Sequence, residues 1–390
     1  MNRTIRVLAL IEAQSVSGPA KNLIEFAASA SQPREGLPCI ALSIVTFQRG
    51  VGQPNAFVIA AKKAGLEIFV IEERRRFDTR AMAQLRAIVQ AFRPDVIQSH
   101  NVKSHFFVRK LGLHLQAPWI AFNHGYTSKD FKDRLYNQLD RWSLRVCFRL
   151  VTMCKPFAKM FERLGVAPER IRIQHNSVRP FARPADEVVA RIRQELGIAG
   201  ERIVLTVGRM SREKGHADLL RAIARLVERG TFHNCRVVFV GDGPEMESLK
   251  ALSAKLGLGE LIRFAGHQVE VGPYYALATL LALPSHSEGS PNVVLEAMAA
   301  GVPVVATAAG GVPEILTDQQ NGLIVALRDP AAMADGIERL LQDELLRSGV
   351  IEASRQCAAT LYTPEARCSS LIALYEETLS AWRNLSGPGR

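Results

Sequence analysis

Two acidic side chains stand eight positions apart, Glu288 and Glu296, within a stretch that opens Pro284-Ser285-His286-Ser287-Glu288-Gly289-Ser290-Pro291-Asn292-Val293. A carboxylate is a good acceptor for paired hydroxyl groups, so two of them can hold two different sugar rings. Glu288 falls in a loop after a short apolar run, and Glu296 on the helix that this loop feeds. The start of that helix, at Asn292 and Val293, offers backbone N–H groups without intrahelical partners to phosphates lying between the rings. The same spacing also suits a solvated loop glutamate followed by an ordinary helix glutamate. Spacing alone does not choose between the two.

A second cluster lies upstream, at Val207-Gly208-Arg209-Met210-Ser211-Arg212-Glu213-Lys214-Gly215. Gly208 closes an apolar run, where a glycine lets a ligand come near the backbone. Arg209 can fork onto two phosphate oxygens, and Lys214 adds a compact positive charge. Together they suit a diphosphate clamp; they suit equally a surface Arg and Lys beside a turn. Gly241-Asp242-Gly243-Pro244 is another strand-exit turn, with Pro244 at a first helical position where its missing N–H costs nothing. Gly310-Gly311 closes a later run and would admit a ligand to its backbone amides. In the first half, two histidines follow strand-like runs: His124 in Phe122-Asn123-His124-Gly125-Tyr126, and His100 in Ser99-His100-Asn101. A lone histidine at such a place is more often structural than chemical.

These residues need a scaffold that puts strand exits side by side. Strand-like runs occur at 5–11, 39–46, 68–71, 96–99, 119–123, 150–153 and 171–174, with helical periodicity at 20–30, 80–92 and 137–147 between them. After a polar stretch at 179–200 the pattern restarts. Strands are expected at 203–207, 237–240, 262–264, 280–283, 302–306 and 323–325, and helices near 216–228, 245–256, 292–300 and 331–342. Alternation of this kind predicts two doubly wound α/β domains, each with a parallel sheet covered on both faces. Ligands in such sheets bind beyond the carboxyl ends of the strands. The expected division is 1–180, 181–362 and a helical segment at 363–390 that can pack back on the first domain.

The 390 residues suffice for two such domains, and a composition 47 % hydrophobic and 22 % charged is that of a packed globular chain. The longest apolar stretch, 274–284, is too short for a bilayer span of about 20 residues. The run at 5–11 is broken by Arg6 and followed by Glu12 and Gln14, so it reads as a first strand of a cytoplasmic protein rather than a secretion signal. None of the six cysteines forms a Cys-x-x-Cys pair, which suits scattered reduced thiols. Charge is uneven. Residues 1–180 hold 28 Lys and Arg against 13 Asp and Glu, or +15, while the remainder is −4. At 129–149, Leu135, Leu139, Trp142 and Val146 form one helical stripe and Arg141, Arg145 and Arg149 another. With Arg74, Arg75, Arg76, Lys103, Arg109 and Lys110, this fits peripheral docking on an anionic inner leaflet. It fits as well a core-facing stripe with solvated arginines. No nucleic-acid-binding motif accompanies the charge, so nucleic acid is not an expected partner.

The order Val207-Gly208-Arg209, Glu213-Lys214-Gly215, Gly241-Asp242-Gly243-Pro244, Leu283-Pro284-Ser285, Glu288-Gly289-Ser290-Pro291-Asn292, Glu296-Ala297-Met298-Ala299, Gly301-x-Pro303-Val304-Val305-Ala306-Thr307 and Gly310-Gly311-x-Pro313-Glu314 resembles the GT4 family of glycosyltransferases. The resemblance is dense from about 203 to 341 and looser before it. It implies the GT-B fold, two Rossmann-like domains facing across a cleft. It also implies transfer of a hexose-type sugar from a nucleotide-sugar donor, with retention of configuration, to a glycan or lipid-linked acceptor of polysaccharide or cell-envelope synthesis. Arg209 and Lys214 match the family's diphosphate-binding residues, Glu288 its donor-sugar glutamate and Glu296 its ribose glutamate. Gly208, Ser290, Asn292 and Val293 fall in the same donor-binding segments. His124 matches a histidine that reaches the transferred sugar, and His100 matches only in part. The family usually needs no metal or other cofactor, and the sequence has no Asp-x-Asp pair. In two places the chain departs from the pattern: the glycine pair of the donor-binding turn after the first strand is reduced to Ser17-Gly18, with Gly18 the donor-binding residue that remains, and Asn176-Ser177-Val178 stands for Asn-Gly-Val. Two alternatives share the fold: a nucleotide-sugar-binding protein without transferase activity, and an epimerase.

Overall fold

The computed structural model of the chain describes residues 4–16, 18–32, 34, 36–50, 53–74, 78–125 and 131–386. Its strands arise where the apolar runs were read. In the first half they are β1 (Thr4–Ile11), β2 (Cys39–Arg49), β3 (Ile68–Glu73), β4 (Val96–Ser99), β5 (Trp119–Asn123), β6 (Arg149–Thr152) and β7 (Ile171–Ile173). They lie in the order β3-β2-β1-β4-β5-β6-β7, each neighbouring pair parallel. Alternate residues of β1 feed opposite layers. Val7, Ala9 and Ile11 pack with Leu23 and Phe26 of the helix Gly18–Ala30, while Leu8 and Leu10 pack with Leu85 and Phe107 on the other face.

The second half gives β8 (Arg202–Val207), β9 (Cys235–Val240), β10 (Ile262–Gly266), β11 (Leu280–Leu283), β12 (Val304–Thr307) and β13 (Leu323–Val325), ordered β10-β9-β8-β11-β12-β13 and again parallel. Ile203 and Leu205 face one core layer and Val204 the other. In both sheets the strand order reverses beside the first strand, between β1 and β4 and between β8 and β11. At such a switch point the two following loops diverge to opposite faces and leave a crevice.

By contacts the chain divides into two compact units, Met1–His175 with Pro364–Arg390, and Asn176–Thr363. The last helix, Pro364–Ser386, belongs to the first unit: Leu371, Ile372, Tyr375 and Leu379 join the β1 core, and the Tyr375 ring meets Phe26 edge-on at 5.8 Å.

Several elements differ from the sequence expectation. β2 runs on to Arg49, because it pairs with β3 as far as Glu73 and the Arg49 guanidinium meets the Glu73 carboxylate at 3.3 Å. Strand β12 begins at Val304 rather than 302, after Pro303, which has no N–H to donate to a ladder. Among the described residues six helices were not anticipated: the short Gly272–Leu277 and Val312–Ile315, and the longer Ala56–Lys63, Val102–Lys110, Lys155–Arg163 and Glu344–Leu361. The last buries Val350, Ser354 and Ala358, a stripe of small side chains with little apolar signal; its start is set by Asp343, whose side chain accepts from Leu346 N–H.

Candidate functional site

The switch point of the second sheet brings the two motif clusters together. Val207 ends β8, and a short turn, Arg212–Lys214, carries Lys214 back over the sheet edge. β11 ends at Leu283 and leads through Pro284 and Ser285 to Glu288. The Lys214 ammonium donates to Glu288 Oε1 at 2.7 Å, and Ser285 Oγ donates to the same oxygen at 2.6 Å. Glu288 is only 7 % exposed, so its charge depends on these two donors. The loop is held from a third side. Gly310 has φ +52°, and a Cβ there would sit 1.8 Å from the Glu288 carbonyl oxygen, which also accepts from Gly311 N–H at 3.3 Å. The expectation that Gly310-Gly311 opens its amides to a ligand is corrected at Gly311, whose N–H is taken by Glu288, while Gly310 lets the Glu288 loop seat on it.

The helix Asn292–Ala300 follows at once. Its first intrahelical bonds are made by Val294 and Leu295 to the Pro291 carbonyl, which leaves the N–H groups of Asn292 and Val293 at the open end. One turn further, Glu296 is half-buried, and its Oε2 accepts from the Tyr275 hydroxyl at 2.8 Å. Burial, then the neighbouring Glu296 charge, pushes the Tyr275 phenol well above its ordinary pKa, so it remains a donor. Tyr275 was not foreseen, since an aromatic inside an apolar run reads as core. Nor was Asn176. Its N–H donates to Ser290 Oγ, and its amide nitrogen donates to the Ser290 carbonyl and to Asn292 Oδ1, at 2.9, 2.9 and 2.7 Å. Ser290 and Asn292, expected at the donor, thus also anchor the segment that opens this unit.

Arg209 leaves β8 exposed and makes no ion pair among the described residues. With Gly208, Asp242, His267 and Gln268 it lines a cavity of about 340 Å³ beyond the ends of β8, β9 and β10. Backbone bonds from Gly208 N–H to the Val240 carbonyl and from Met210 N–H to the Asp242 carbonyl, both 2.9 Å, tie the two glycine-bearing turns together. A larger cavity, about 490 Å³, lies around Arg212, Asp218, Arg221, His286 and Arg328; neither Lys214 nor Glu288 lines it.

In the first unit, Asn123 and His124 leave β5 in a loop fixed by Asp140 of the helix Phe131–Leu144. Asp140 accepts from Asn123 Nδ2 at 3.1 Å and lies 2.6 Å from His105 Nδ1, while Asn123 Oδ1 accepts from Gly125 N–H at 2.9 Å. Gly125 has φ +102°, and a Cβ there would meet the Phe157 ring at 2.9 Å. His124 Nε2 lies 3.3 Å from His100 Nδ1, the two rings nearly parallel. Burial lowers the His124 pKa to about 3 and that of His100 well below the ordinary value, so both are neutral. His100 was the lesser of the two expectations; the structure makes it the partner of His124. Gly18 opens its helix exposed, with open space where a Cβ would stand, so no described protein atom requires a glycine there. Ser17 and Tyr126 lie outside the described residues.

The expected basic surface is partly corrected. Lys103 is 1 % exposed; its ammonium binds the buried Glu73 carboxylate, lies 3.6 Å from Glu12 and sits over the Phe47 ring. Arg149 pairs with Glu377 at 3.2 Å, and Arg109 stacks on the Trp142 ring at 3.6 Å. Arg74, Lys110, Arg134 and Arg145 are exposed; Arg75, Arg76 and Lys129 lie outside the described residues. Leu135 is 64 % and Trp142 41 % exposed, so this part of the apolar stripe faces outward, whereas Val146 packs on the core. Among the described residues no helix is long and apolar enough to cross a membrane.

Comparison with known proteins gives these sites a context. Residues 41–180 match the family described as Glycosyltransferase Family 4, and residues 188–357 the one described as Glycosyl transferases group 1. A D-inositol 3-phosphate glycosyltransferase of Corynebacterium jeikeium is 36 % identical over 205 residues, 50 % of this chain and 49 % of that one. An uncharacterized glycosyltransferase of Methanocaldococcus jannaschii is 26 % identical over 297 residues, 72 % and 75 % of the two chains. The matched region thus spans about half the length of most of the curated relatives. Among solved structures, Anabaena HepE in complex with UDP superposes with a TM-score of 0.80 at 18 % identity, over 97 % of this chain and 100 % of that one. WaaG, a glycosyltransferase involved in lipopolysaccharide biosynthesis, gives 0.67 at 21 % identity, over 94 % and 99 %. Two parallel sheets, each with one switch point, and two successive module matches establish that this chain has the GT-B fold and carries a Glycosyltransferase Family 4 region followed by a Glycosyl transferases group 1 region.

Proposed function

We propose that the chain is a retaining glycosyltransferase that moves a hexose-type sugar from a nucleotide-sugar donor to a glycan or lipid-linked acceptor in polysaccharide or cell-envelope synthesis. The observation that carries this is the 2.7 Å contact of Lys214 with Glu288 at the switch point of the second sheet. It sets a phosphate-seeking cation and a hydroxyl-seeking carboxylate one hydrogen bond apart, as the junction of a sugar and a diphosphate requires. Glu296, steadied by Tyr275, takes the ribose, and Arg209 and the N–H groups of Asn292 and Val293 take the diphosphate. The Anabaena HepE structures, in complex with UDP and with UDP-glucose, support a donor of this class.

In this reading the bond from the anomeric carbon to the phosphate oxygen breaks as the bond to the acceptor oxygen forms on the same face. The acceptor proton passes to the departing phosphate. The protein's contribution is electrostatic, fixed positive groups aimed at charge that develops on the leaving diphosphate. Arg209 and Lys214 meet that charge without a divalent ion or other cofactor. We place the enzyme in the cytoplasm against an anionic inner leaflet, on the strength of exposed Leu135 and Trp142 beside Lys110, Arg134 and Arg145.

The test is a panel of UDP-, GDP- and ADP-sugars scored by thermal shift, then by sugar release and transfer with and without EDTA. One donor should stabilise the protein, and its sugar should be released slowly, in EDTA as well, with the α or β configuration of the donor retained in the product. Stabilisation without release would point to a binding protein, an isomerised sugar to an epimerase, and inversion would remove the proposed mechanism.

A further inference from the structure

We propose that Tyr375, on the C-terminal helix, is a positioning residue that sets which ring nitrogen of His124 carries the proton, acting through Gln98 and His100. The chain of contacts lies within the first unit. The Tyr375 hydroxyl, fully buried, donates to Gln98 Oε1. Gln98 Nε2 lies 2.5 Å from His100 Nε2, and His100 Nδ1 lies 3.3 Å from His124 Nε2. No other described group accepts the phenol proton.

Each link fixes the next. A phenol has one proton to donate, and an amide has an accepting end and a donating end. With Gln98 Oε1 taken by Tyr375, the Nε2 end must donate to His100, so His100 Nε2 carries a lone pair. His100 is neutral and has one ring proton, which must then be on Nδ1. It is donated to His124 Nε2, which must in turn be the lone-pair nitrogen. His124 is neutral as well, so its proton sits on Nδ1. Turning the Gln98 amide over would reverse every link, but it would bring the amide nitrogen against the phenol and leave a buried O–H without an acceptor, a cost of the order of 1–3 kcal/mol. The tautomer of a loop histidine is therefore decided by a side chain some 250 residues later in the sequence. This inference rests on the reading of His124 as a substrate-side residue for its consequence: His124 donates from Nδ1 to an oxygen of the sugar or acceptor and does not take up a proton.

Selective ¹⁵N-histidine labelling of the full chain tests it, since nine histidines give few signals, with His124→Gln and His100→Gln used to assign them. At pH 7.5 both rings should show a protonated Nδ1 and an unprotonated Nε2. Tyr375→Phe keeps the ring and removes only the hydroxyl; Gln98→Met cuts the next link. In either variant the His124 pattern should shift toward Nε2–H, and kcat for transfer should fall roughly three- to tenfold with the donor KM unchanged. A wild-type His124 protonated on Nε2 or on both nitrogens, or the same His124 pattern in both variants, overturns the proposal. The spectra need no substrate, so they decide the relay even if the chain transfers no sugar.

Discussion

At the scale of single residues, the proposed donor site is a set of paired charges. Lys214 and Ser285 both donate to Glu288; in the proposed function Lys214 turns to the diphosphate when a donor binds, while Ser285 keeps Glu288 in place. Lys214→Ala removes a donor that counts most as charge develops, so kcat/KM should fall about 10²- to 10³-fold. It also strips a nearly buried carboxylate of its ion partner, so the melting temperature should drop, and bound donor should not restore it fully. Tyr275→Phe should act differently. It loses one hydrogen bond to the Glu296 carboxylate, which contributes to ground state and transition state alike, so the donor KM should rise about tenfold with kcat held. Steady-state kinetics on the two purified variants separates the roles, and an equal loss of kcat in both would contradict them. Lys214 and Glu288 were singled out by the order of the motifs around them rather than by their own types and spacing, which suit a surface pair as well. Tyr275 was not, because its hydroxyl matters only once the fold brings Glu296 beside it.

At the scale of elements, what was legible is the strand pattern. Apolar runs closed by glycine mark parallel strands and their exits, and the exits are where the chemistry collects. Helices whose buried faces are small, such as Glu344–Leu361, escaped because a stripe of Val, Ser and Ala hardly differs from its surroundings. Charge was misread wherever a partner lay far off in sequence: Lys103 looks like surface until β3 brings Glu73 to it. The helix Phe131–Leu144 shows both outcomes, with Asp140 turned inward to fix the His124 loop and Leu135 and Trp142 turned outward. If this outer face docks on membranes, vesicles containing phosphatidylserine should retain the protein and neutral vesicles should not. Lys110→Glu with Arg145→Glu should weaken that binding about tenfold or more, at about 1 kcal/mol per basic residue. Leu135→Ala with Trp142→Ala should weaken it further. Equal sedimentation with neutral vesicles, or no response to either pair, would remove the docking face.

At the scale of the whole molecule, both units bury neutral histidines, and this gives the chain a shared response to acid. His216 is 4 % exposed, with its Nδ1 lacking a hydrogen-bond partner and its ring against Phe239; burial, with Lys214 nearby, lowers its pKa to about 4. His124 is lowered to about 3, and His100 also lies well below the ordinary imidazole value. Above about pH 6.5 these groups are neutral folded and unfolded, and contribute no pH dependence. As pH falls below that, the unfolded chain binds protons that the folded chain refuses, so stability declines with acid. The slope is about 1.4 kcal/mol per pH unit for each histidine, down to its folded pKa. Urea midpoints should therefore move down steadily from pH 7 to pH 5. His216→Leu gives up no hydrogen bond at Nδ1 and should make the circular-dichroism transition less pH-dependent by about one proton. The three tryptophans, Trp119, Trp142 and Trp382, all lie in the first unit, so fluorescence reports on His100 and His124 and should keep its slope in that variant. A wild-type midpoint that does not move between pH 7 and pH 5 would mean that these imidazoles are protonated in the folded chain, and the neutral His100–His124 pair would fall with it.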